Sequence, residues 1–566
     1  MYKELQNTIA EMTAPGQMFS TTDIEVAGHP MRAWAMAPAS LRDVWLSTAG
    51  HADADYLVYR DERWTYAQAH EEVARIANWL TASGIKQGDH VAIAMRNYPE
   101  WMLAYWAIAC VGAVSVGVNA WWVPQELEYG LKDSNTKLLI CDAERLARFE
   151  EVRGALPDLR VVTVRVDEVP AWADSWSNVL ATEAVMPEVT IDPDDDACIF
   201  YTSGTTGKPK GAQLTHRGCV NNIFSVIFGT LSQATAQAKA LGKEPPNLMG
   251  GKTQMASIVA TPLFHVTANN CMAQTTTVAG GKLVHMHKWD PGEALRIIEE
   301  EKITIFSGVP TMSREIITHP DFAHRDTSSL SALNGGGAAV QPDLIGKINE
   351  GGGGAQPGQG YGMTETCGII STSSGFFLSD KPKSTGLLLP IFDVKCIDKE
   401  GNDLPKGETG EICVRGPQII KGYLNRPEAT AETIVDGWLH TGDIGFVDED
   451  NFIYLVDRAK DMVLRGGENV FCSEVEVALY QHPDVAECTV FAVPDERLGE
   501  EVGAAIYPNQ DRHPTADELR AFCKTQLAAY KAPRYIWILD EPLPRNASGK
   551  FVKRELQQKL NVADAS

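Results

Sequence analysis

The sequence predicts a multidomain α/β protein, with a large N-terminal region of two α/β subdomains and a β-rich subdomain, followed by a small α+β domain. Three observations support this prediction. The chain has 566 residues, more than a single hydrophobic core usually organises. Its first part alternates short apolar strands with amphipathic helices, which is typical of parallel sheets covered by helices. After about residue 392, strand-like segments alternate with Gly- and Asp-rich turns.

The N-terminal alternation begins with a helix over 63–84, for which Thr65 is a suitable N-cap. The uncharged stretch 101–118 just reaches the length of about 18 residues that suggests a membrane span. Because Gly112 and Gly117 interrupt it, we interpret it as a buried helix over 101–110 and a strand over 113–118, and we expect no membrane span. Further strands are predicted over 90–95, 137–141 and 160–165.

The later part of the chain divides into three segments. Residues 231–253 are rich in Gln, Ala, Lys, Gly and Pro, and we interpret them as a surface excursion. A β-rich subdomain is predicted at about 390–459, which makes 1–459 the large domain and 460–566 the small one. The small domain is predicted to hold a helix over 473–482, capped by Ser473 with Glu476 at its third position, strands over 484–493 and 503–508, and a helix over 515–529.

Composition excludes several classes of function. The formal net charge is −24, so the chain should repel nucleic acids and anionic lipid. Its eleven cysteines contain no CxxC pair, which argues against a zinc ribbon or a disulfide framework and for reduced thiols. The first ten residues lack the apolar run of a signal peptide, so a cytoplasmic protein is expected. Oligomeric state is left open, a homodimer included.

The strongest chemical signal is the segment 201–211, which reads YTSGTTGKPKG after an apolar strand. Its glycines allow a tight turn that points backbone N–H groups at an anion, and its hydroxyls and lysines add donors and charge. It differs from a Walker A loop, which has four residues between its glycines. We therefore predict a polyphosphate cradle formed by Thr202, Ser203, Gly204, Thr205, Thr206 and Lys210.

The loop resembles the signature of the adenylate-forming superfamily of acyl-CoA synthetases, peptide-synthetase adenylation domains and luciferases. Further segments resemble other motifs of that family, in the same order along the chain. They are QGYGMTET at 359–366, WLHTGDIG at 438–445, DRAKD at 457–461, GGEN at 466–469 and PRNASGK at 544–550. The motifs cover 201–550, whereas the N-terminal third fits by general pattern only.

The resemblance implies a role for each of these motifs in binding ATP. Glu365 would hold the Mg²⁺ that bridges the phosphates, which suits a cation that takes few carboxylates. Thr364 would contact the AMP phosphate, Tyr361 would stack on adenine, and Asp443 would accept the ribose hydroxyls. The remaining ATP or AMP contacts are expected from Gln359, Gly360, Arg458 and Lys550.

The family alternates between two poses of the last domain, and the resemblance extends this to the present chain. Lys460 would be the hinge, and Lys550 would neutralise charge on the phosphate during adenylation only. In the second pose, Gly466 and Gly467 would approach a tunnel for the pantetheine arm of coenzyme A.

The acyl pocket is expected around His265, Gly336 and Gly337, with residues 309–311 as a further wall. Gly362 stands where acetate-specific members carry a bulky Trp, so we interpret it as an open pocket floor. A medium- or long-chain fatty acid, or a bulky aromatic or alicyclic acid, is therefore expected rather than acetate. One further departure is Cys472, where many relatives carry Pro.

The predicted reaction converts a carboxylic acid, ATP and CoA into acyl-CoA, AMP and pyrophosphate. A poorly electrophilic acid is first activated as its adenylate, which needs positioning and charge neutralisation rather than a protein nucleophile. A competing hypothesis is a stand-alone enzyme that loads a carrier protein; no carrier segment follows Lys550, which favours a free thiol acceptor. An oxidative luciferase is a second competing hypothesis, and a non-catalytic nucleotide-binding protein is a third.

Overall fold

The computed structural model describes residues 1–202, 208–245, 253–338, 340–458, 461–465, 468–546 and 549–566. Within these ranges the protein is a mixed α/β molecule with a large N-terminal domain and a small C-terminal domain. The described strands belong to four sheets: a two-stranded, an eight-stranded, a fifteen-stranded and a five-stranded sheet.

The described strands are, in chain order, Thr21–Val26 (β1), His29–Trp34 (β2), Asp55–Tyr59 (β3), Glu62–Thr65 (β4), His90–Ala94 (β5), Val114–Gly117 (β6), Leu138–Asp142 (β7), Arg160–Val164 (β8), Asp174–Ser175 (β9), Asp196–Thr202 (β10), Lys210–Thr215 (β11), Ala256–Val259 (β12), Lys282–His285 (β13), Ile305–Gly308 (β14), Ala332–Gly336 (β15), Gln356–Met363 (β16), Gly368–Ser374 (β17), Gly386–Leu388 (β18), Asp393–Ile397 (β19), Asp403–Leu404 (β20), Gly410–Arg415 (β21), Gly422–Tyr423 (β22), Ile434–Val435 (β23), Trp438–Val447 (β24), Phe452–Arg458 (β25), Val463–Arg465 (β26), Glu468–Val470 (β27), Val485–Asp495 (β28), Gly499–Pro508 (β29) and Tyr535–Ile538 (β30).

The described α-helices are Tyr2–Met12 (α1), Leu41–Ser47 (α2), Tyr66–Ala82 (α3), Pro99–Cys110 (α4), Pro124–Asp133 (α5), Ala143–Val152 (α6), Trp176–Leu180 (α7), His216–Ala240 (α8), Gln274–Val278 (α9), Pro291–Glu301 (α10), Pro310–Thr318 (α11), Pro342–Gly351 (α12), Gly375–Asp380 (α13), Pro427–Thr433 (α14), Cys472–Tyr480 (α15), Ala516–Gln526 (α16) and Lys553–Lys559 (α17). A π-helix over Thr267–Ala273 precedes α9.

The eight-stranded sheet has the order β22-β11-β10-β6-β5-β7-β8-β9 and is parallel from β10 to β9. Helix α4, which connects β5 to β6, is buried along its whole length. This confirms the predicted helix and strand within 101–118. Within the described residues no helix combines the length and apolar character needed to cross a membrane.

The fifteen-stranded sheet has the order β20-β19-β21-β24-β25-β18-β17-β16-β15-β14-β12-β13-β3-β4, with β23 paired to β24. Its strands from β16 to β3 run parallel. The segment predicted to be β-rich continues this sheet through the pairing of β18 with β25. The parallel strands β12, β14, β15 and β16 end at one edge, as expected for a ligand site in an α/β protein.

The C-terminal sheet has the order β27-β26-β29-β28, with β30 parallel to β29. Helices α15 and α16 cover it, and the buried apolar residues of this layer all come from position 463 onward. The small domain therefore has a hydrophobic core of its own.

Two local predictions need correction. Residues 231–240 are not an irregular excursion, because α8 extends through Ala240 and buries Ser232, Gln233 and Ala236. Helix α15 begins at Cys472 rather than at a Ser473 cap, and Glu474, not Glu476, accepts the backbone N–H of Phe471 at 3.3 Å.

Candidate active site

The C-terminal lysine loop lies against the large domain. The Cε atom of Lys550 is 3.2 Å from the position that a β-carbon on Gly337 would take. Arg545, in the same loop, donates a hydrogen bond to the hydroxyl of Thr311 at 3.3 Å. The structure therefore brings the predicted adenylation lysine to the predicted wall of the acyl pocket. Lys550, Gly337, Thr311 and Arg458 all line one cleft between the domains, with a volume of about 1920 Å³.

His265 lies close enough to Lys550 for the lysine charge to affect it. Burial, and to a smaller extent the positive charge of Lys550, lowers the pKa of His265 to about 4. Its ring centroid is 4.6 Å from that of Phe264. At neutral pH the imidazole is therefore uncharged, and it presents a neutral, partly buried surface beside the lysine.

Glu365 occupies a single 3₁₀ turn, Thr364–Thr366, directly after β16. Its Oε1 accepts a hydrogen bond from the hydroxyl of Tyr423 at 2.6 Å. The ammonium group of Lys210 lies 4.2 Å from the ring centroid of the same tyrosine. Tyr423 therefore contacts both Lys210 of the predicted phosphate loop and Glu365, the predicted metal ligand.

Asp443 connects two other predicted nucleotide contacts. It accepts a hydrogen bond from the hydroxyl of Tyr361 at 2.7 Å and forms an ion pair with Arg458, Nε to Oδ1, at 3.0 Å. The geometry follows from the sheet, because Asp443 and Arg458 are directly opposite on β24 and β25. Burial and the charge of Asp443 raise the pKa of Tyr361 well above its usual value, so the phenol remains a donor.

Four other predicted contacts lie in β10, in β16 or directly after β16. Gln359 is buried and uses its amide within the protein, accepting from the Val340 N–H at 3.0 Å and donating to the Ser384 carbonyl. Thr202 ends β10 opposite Lys210. Thr364 is partly buried, and a β-carbon on Gly360 would lie 3.2 Å from Ile369 Cγ2.

The glycines of the predicted pocket differ in what surrounds them. A β-carbon on Gly336, the last residue of β15, would lie 3.5 Å from Thr267 Cγ2 at the start of the π-helix. A β-carbon on Gly362 would lie only 1.8 Å from the Gly368 carbonyl oxygen. The space at Gly362 is therefore filled by the backbone of β17, which corrects its interpretation as an open pocket floor.

Several predicted residues lie outside the described part of the chain. They are Ser203, Gly204, Thr205 and Thr206 of the phosphate loop, the hinge Lys460, and Gly466 and Gly467.

Sequence reasoning missed Tyr423 and Thr267. Tyr423 lies in the two-residue strand β22, outside every motif, and Thr267 lies two positions after His265. The sequence signal for Tyr423 is the short run GYL at 422–424. In the structure its first two residues form β22, which pairs antiparallel with β11.

The donor groups suit Mg²⁺ bound together with nucleotide. In the ranges that the structure describes, no three His, Cys, Asp or Glu side chains form a metal cage. One partly buried carboxylate, Glu365, retains an oxygen that does not bind Tyr423. Mg²⁺ typically takes one or two carboxylates and completes its shell with phosphate oxygens and water, so Glu365 fits this cation.

Comparison with known proteins agrees with this chemistry. Residues 44–424 match the family model of the AMP-binding enzyme, and residues 474–550 match that of the AMP-binding enzyme C-terminal domain. A feruloyl-CoA synthase from Amycolatopsis sp. is 37% identical over 496 residues, 88% of this chain and 94% of that protein. A 4-coumarate–CoA ligase from Humulus lupulus is 32% identical over 507 residues, 88% of this chain and 90% of that protein.

Solved structures show the same architecture. The anthranilate CoA ligase AuaEII in complex with anthranoyl-AMP has a TM-score of 0.82 at 26% identity, covering 93% of this chain and 98% of that one. ATP-bound MatB from Rhodopseudomonas palustris has a TM-score of 0.80 at 26% identity, covering 92% and 98%. The chain therefore belongs to the AMP-binding enzyme family, in its acyl-CoA synthetase branch, and is an AMP-forming acid–thiol ligase that uses ATP, Mg²⁺ and CoA.

Proposed function

We propose that this ligase activates an aromatic carboxylic acid of the arylpropenoic type, as its adenylate, and transfers the acyl group to CoA. The observation that carries the proposal is the likeness to relatives named for feruloyl and 4-coumaroyl substrates, each of which aligns with 88% of the chain. The neighbouring structure AuaEII is named for anthranilate, which is an aromatic acid as well.

The side chains near His265 are compatible with a planar substrate. The end of β15 at Gly336 lies beside the short side chain of Thr267, which is two positions after the neutral imidazole of His265. Neither Gly336 nor Thr267 adds a bulky or charged side chain there, and a neutral aromatic ring can pack against a neutral imidazole.

In the proposed first step, a carboxylate oxygen of the acid attacks the α-phosphate of ATP and pyrophosphate leaves. Lys550 neutralises the charge that develops on the phosphate, which is the kind of stabilisation that lowers such barriers most. Asp443 and Arg458 hold the ribose, while the loop with Ser203, Gly204, Thr205 and Thr206 holds the phosphates. Mg²⁺, when bound at Glu365, supplies further charge neutralisation.

In the proposed second step, the thiol of CoA attacks the acyl carbon of the adenylate and AMP leaves. The last domain turns about Lys460, which withdraws Lys550 and brings Gly466 and Gly467 to the pantetheine arm. Gating of this kind separates two reactions that need different groups at one site.

A substrate panel tests the proposal. Pyrophosphate release and CoA thioester formation would be measured with ferulate, 4-coumarate, cinnamate, benzoate, octanoate and palmitate, using Lys550→Ala protein as the blank. We expect the arylpropenoic acids to give the highest kcat/KM. A higher kcat/KM for octanoate or palmitate would overturn the aromatic assignment in favour of a fatty acid.

A further inference from the structure

Tyr423 is in contact with two side chains of opposite charge that belong to different motifs. Its hydroxyl donates to Glu365 Oε1 at 2.6 Å, and the Nζ of Lys210 lies 4.2 Å from its ring centroid. The ring is buried, with 7% of its surface exposed. A single side chain therefore joins the expected metal ligand to the expected phosphate-binding lysine.

The backbone around Tyr423 is fixed to both partners. Strand β22 pairs with β11, with Tyr423 opposite Ala212, and the Leu424 N–H donates to the Gly211 carbonyl at 2.8 Å. On the other side, the Ile420 N–H donates to the carbonyl of Glu365 at 3.0 Å. The Tyr423 N–H is held by the hydroxyl of Thr430 at 2.9 Å. The tyrosine ring consequently has little freedom to move relative to either charge.

The two contacts of Tyr423 reinforce each other. The phenol hydroxyl of Tyr423 is the donor and the Glu365 carboxylate is the acceptor of their 2.6 Å hydrogen bond. Donation to a carboxylate pushes electron density into the ring, and a richer π-face attracts the Lys210 ammonium more strongly.

Tyr423 also leaves both charges available to a ligand. Among the residues that the structure describes, neither Lys210 nor Glu365 forms an ion pair within 4.0 Å. Only one oxygen of the Glu365 carboxylate is occupied by the phenol, so the other can face a cation. A Lys210–Glu365 ion pair would neutralise both groups before ATP and metal arrive.

We propose that Tyr423 is a positioning residue that orients the Glu365 carboxylate for Mg²⁺ and holds Lys210 separately for the phosphates. The inference rests on the proposed metal role of Glu365. It predicts two separable effects on ATP binding. Removal of the hydroxyl should weaken the contribution of Mg²⁺, and removal of the whole ring should also weaken the contribution of Lys210.

The test measures ATP binding rather than turnover, so the identity of the acid does not matter. Calorimetric titration of ATP, without any carboxylic acid, would be done with Mg²⁺ and with EDTA. For Tyr423→Phe we expect a Mg²⁺-dependent gain in ATP affinity about tenfold smaller than in the wild type, with unchanged affinity in EDTA. For Tyr423→Leu we expect a lower ATP affinity in EDTA too, because Lys210 loses its cation–π contact with the ring.

Tyr129→Phe is the matched control. Tyr129 also carries a loop lysine over its ring, with Lys208 Nζ at 4.8 Å, but its hydroxyl donates to the Pro209 carbonyl at 2.8 Å. We expect wild-type binding with and without metal. An equal loss in Tyr129→Phe, or an undiminished Mg²⁺ gain in a folded Tyr423→Phe protein, would overturn the proposal.

Glu365→Gln distinguishes the metal role of Glu365 from the positioning role of Tyr423. If Glu365→Gln loses the Mg²⁺ gain while Tyr423→Phe keeps it, the role of Tyr423 is wrong and that of Glu365 stands. If Glu365→Gln keeps the Mg²⁺ gain, the metal role of Glu365 is wrong and the inference falls with it.

Discussion

In the proposed mechanism, single charged residues provide most of the chemistry, and Lys550 has the most specific position among them. It is exposed, but it reaches Gly337 from the other domain and lowers the pKa of His265, so its charge acts on the site. A lysine is a compact point charge on a flexible stem, which suits a group that must arrive for one step and leave for the next.

Replacement of Lys550 should therefore separate the two half-reactions. We expect Lys550→Ala to slow pyrophosphate release from acid and ATP by about 10²- to 10³-fold, the usual effect of removing a group that stabilises a transition-state charge. Thioester formation from pre-made acyl-adenylate and CoA should stay near the wild-type rate. Rapid-quench assays of each half-reaction would measure both.

Lys559→Ala is the control for this experiment, since the Lys559 side chain is 69% exposed and its ion pair among the described residues is with Glu555 across one helical turn. Both half-reactions should be unaffected. Equal loss of both half-reactions in Lys550→Ala would contradict a role confined to adenylation.

The residues of the site could be predicted from the sequence only in part. Glu365, Asp443, Arg458 and Lys550 each sit in a short distinctive motif, so their types and order pointed to a nucleotide site. Tyr423 carries no such pattern, and its role depends on the pairing of β22 with β11. Contacts of this kind depend on the tertiary fold and have no local spacing to reveal them.

At the scale of single elements, the antiparallel pair β16 and β17 constrains the backbone most tightly near Glu365, the proposed metal ligand. The ladder shifts register between Tyr361 and Gly362, which lets the two backbones approach closely just before Glu365. A β-carbon on Gly362 would lie 1.8 Å from the Gly368 carbonyl oxygen, which itself accepts a hydrogen bond from the Thr366 hydroxyl at 2.8 Å. The backbone must shift to accept any side chain there.

Gly362→Ala should therefore lower stability even though only one methyl group is added. We expect a cost of about 2 kcal/mol or more, because the strands cannot separate without breaking their pairing. Differential scanning fluorimetry would show a lower unfolding midpoint, and ATP affinity should fall with it because the 3₁₀ turn that carries Glu365 follows directly.

Gly346→Ala provides the comparison, because Gly346 lies within α12 and nothing approaches the position of its β-carbon within 4 Å. Alanine in a helix interior is favoured over glycine by about 0.5–1 kcal/mol, so this variant should be as stable as the wild type or more so. A midpoint for Gly362→Ala equal to that of Gly346→Ala would refute the close approach of the two strands.

Most elements followed from periodicity, and the exceptions have a physical cause. Helix α3 starts after its predicted cap, Thr65, whose hydroxyl oxygen accepts from the Gln68 N–H. The end of α8 was missed because it buries polar residues: Gln233 donates to the Thr372 carbonyl at 2.9 Å and accepts from the Ser374 N–H at 2.8 Å. Hydropathy cannot anticipate a buried glutamine whose hydrogen-bond partners come from a distant strand.

At the scale of the whole molecule, the two domains have separate cores, so their relative position depends on contacts between them, some of which lie near the end of β25. The hydroxyl of Ser473, at the start of α15, donates to the Val456 carbonyl. Next to it, Asp457 is partly buried, and its buried Oδ2 has no hydrogen-bond partner in the described part of the chain. Burial raises the pKa of Asp457 to about 6, although Lys553 opposes this shift.

This raised pKa gives the folded protein a defined pH dependence. A carboxyl group whose folded pKa lies above its unfolded value, near 3.9, favours the folded state when protonated. Its contribution is complete below pH 4 and is lost as the pH rises through about 6. At pH 8 the protein therefore carries a buried charge close to the junction of its domains.

Asp457→Asn, which keeps the shape without the charge, should raise the free energy of unfolding by about 1–2 kcal/mol at pH 8. The gain should shrink below pH 6 and vanish near pH 4, because wild-type Asp457 is then protonated as well. Thermal midpoints measured from pH 4 to 8 would show this, with Asp517→Asn as the control, since the Asp517 side chain is 94% exposed. A gain that stays constant across this range would mean that the substitution acts through packing or hydrogen bonding, and that Asp457 does not hold a destabilising charge at the domain junction.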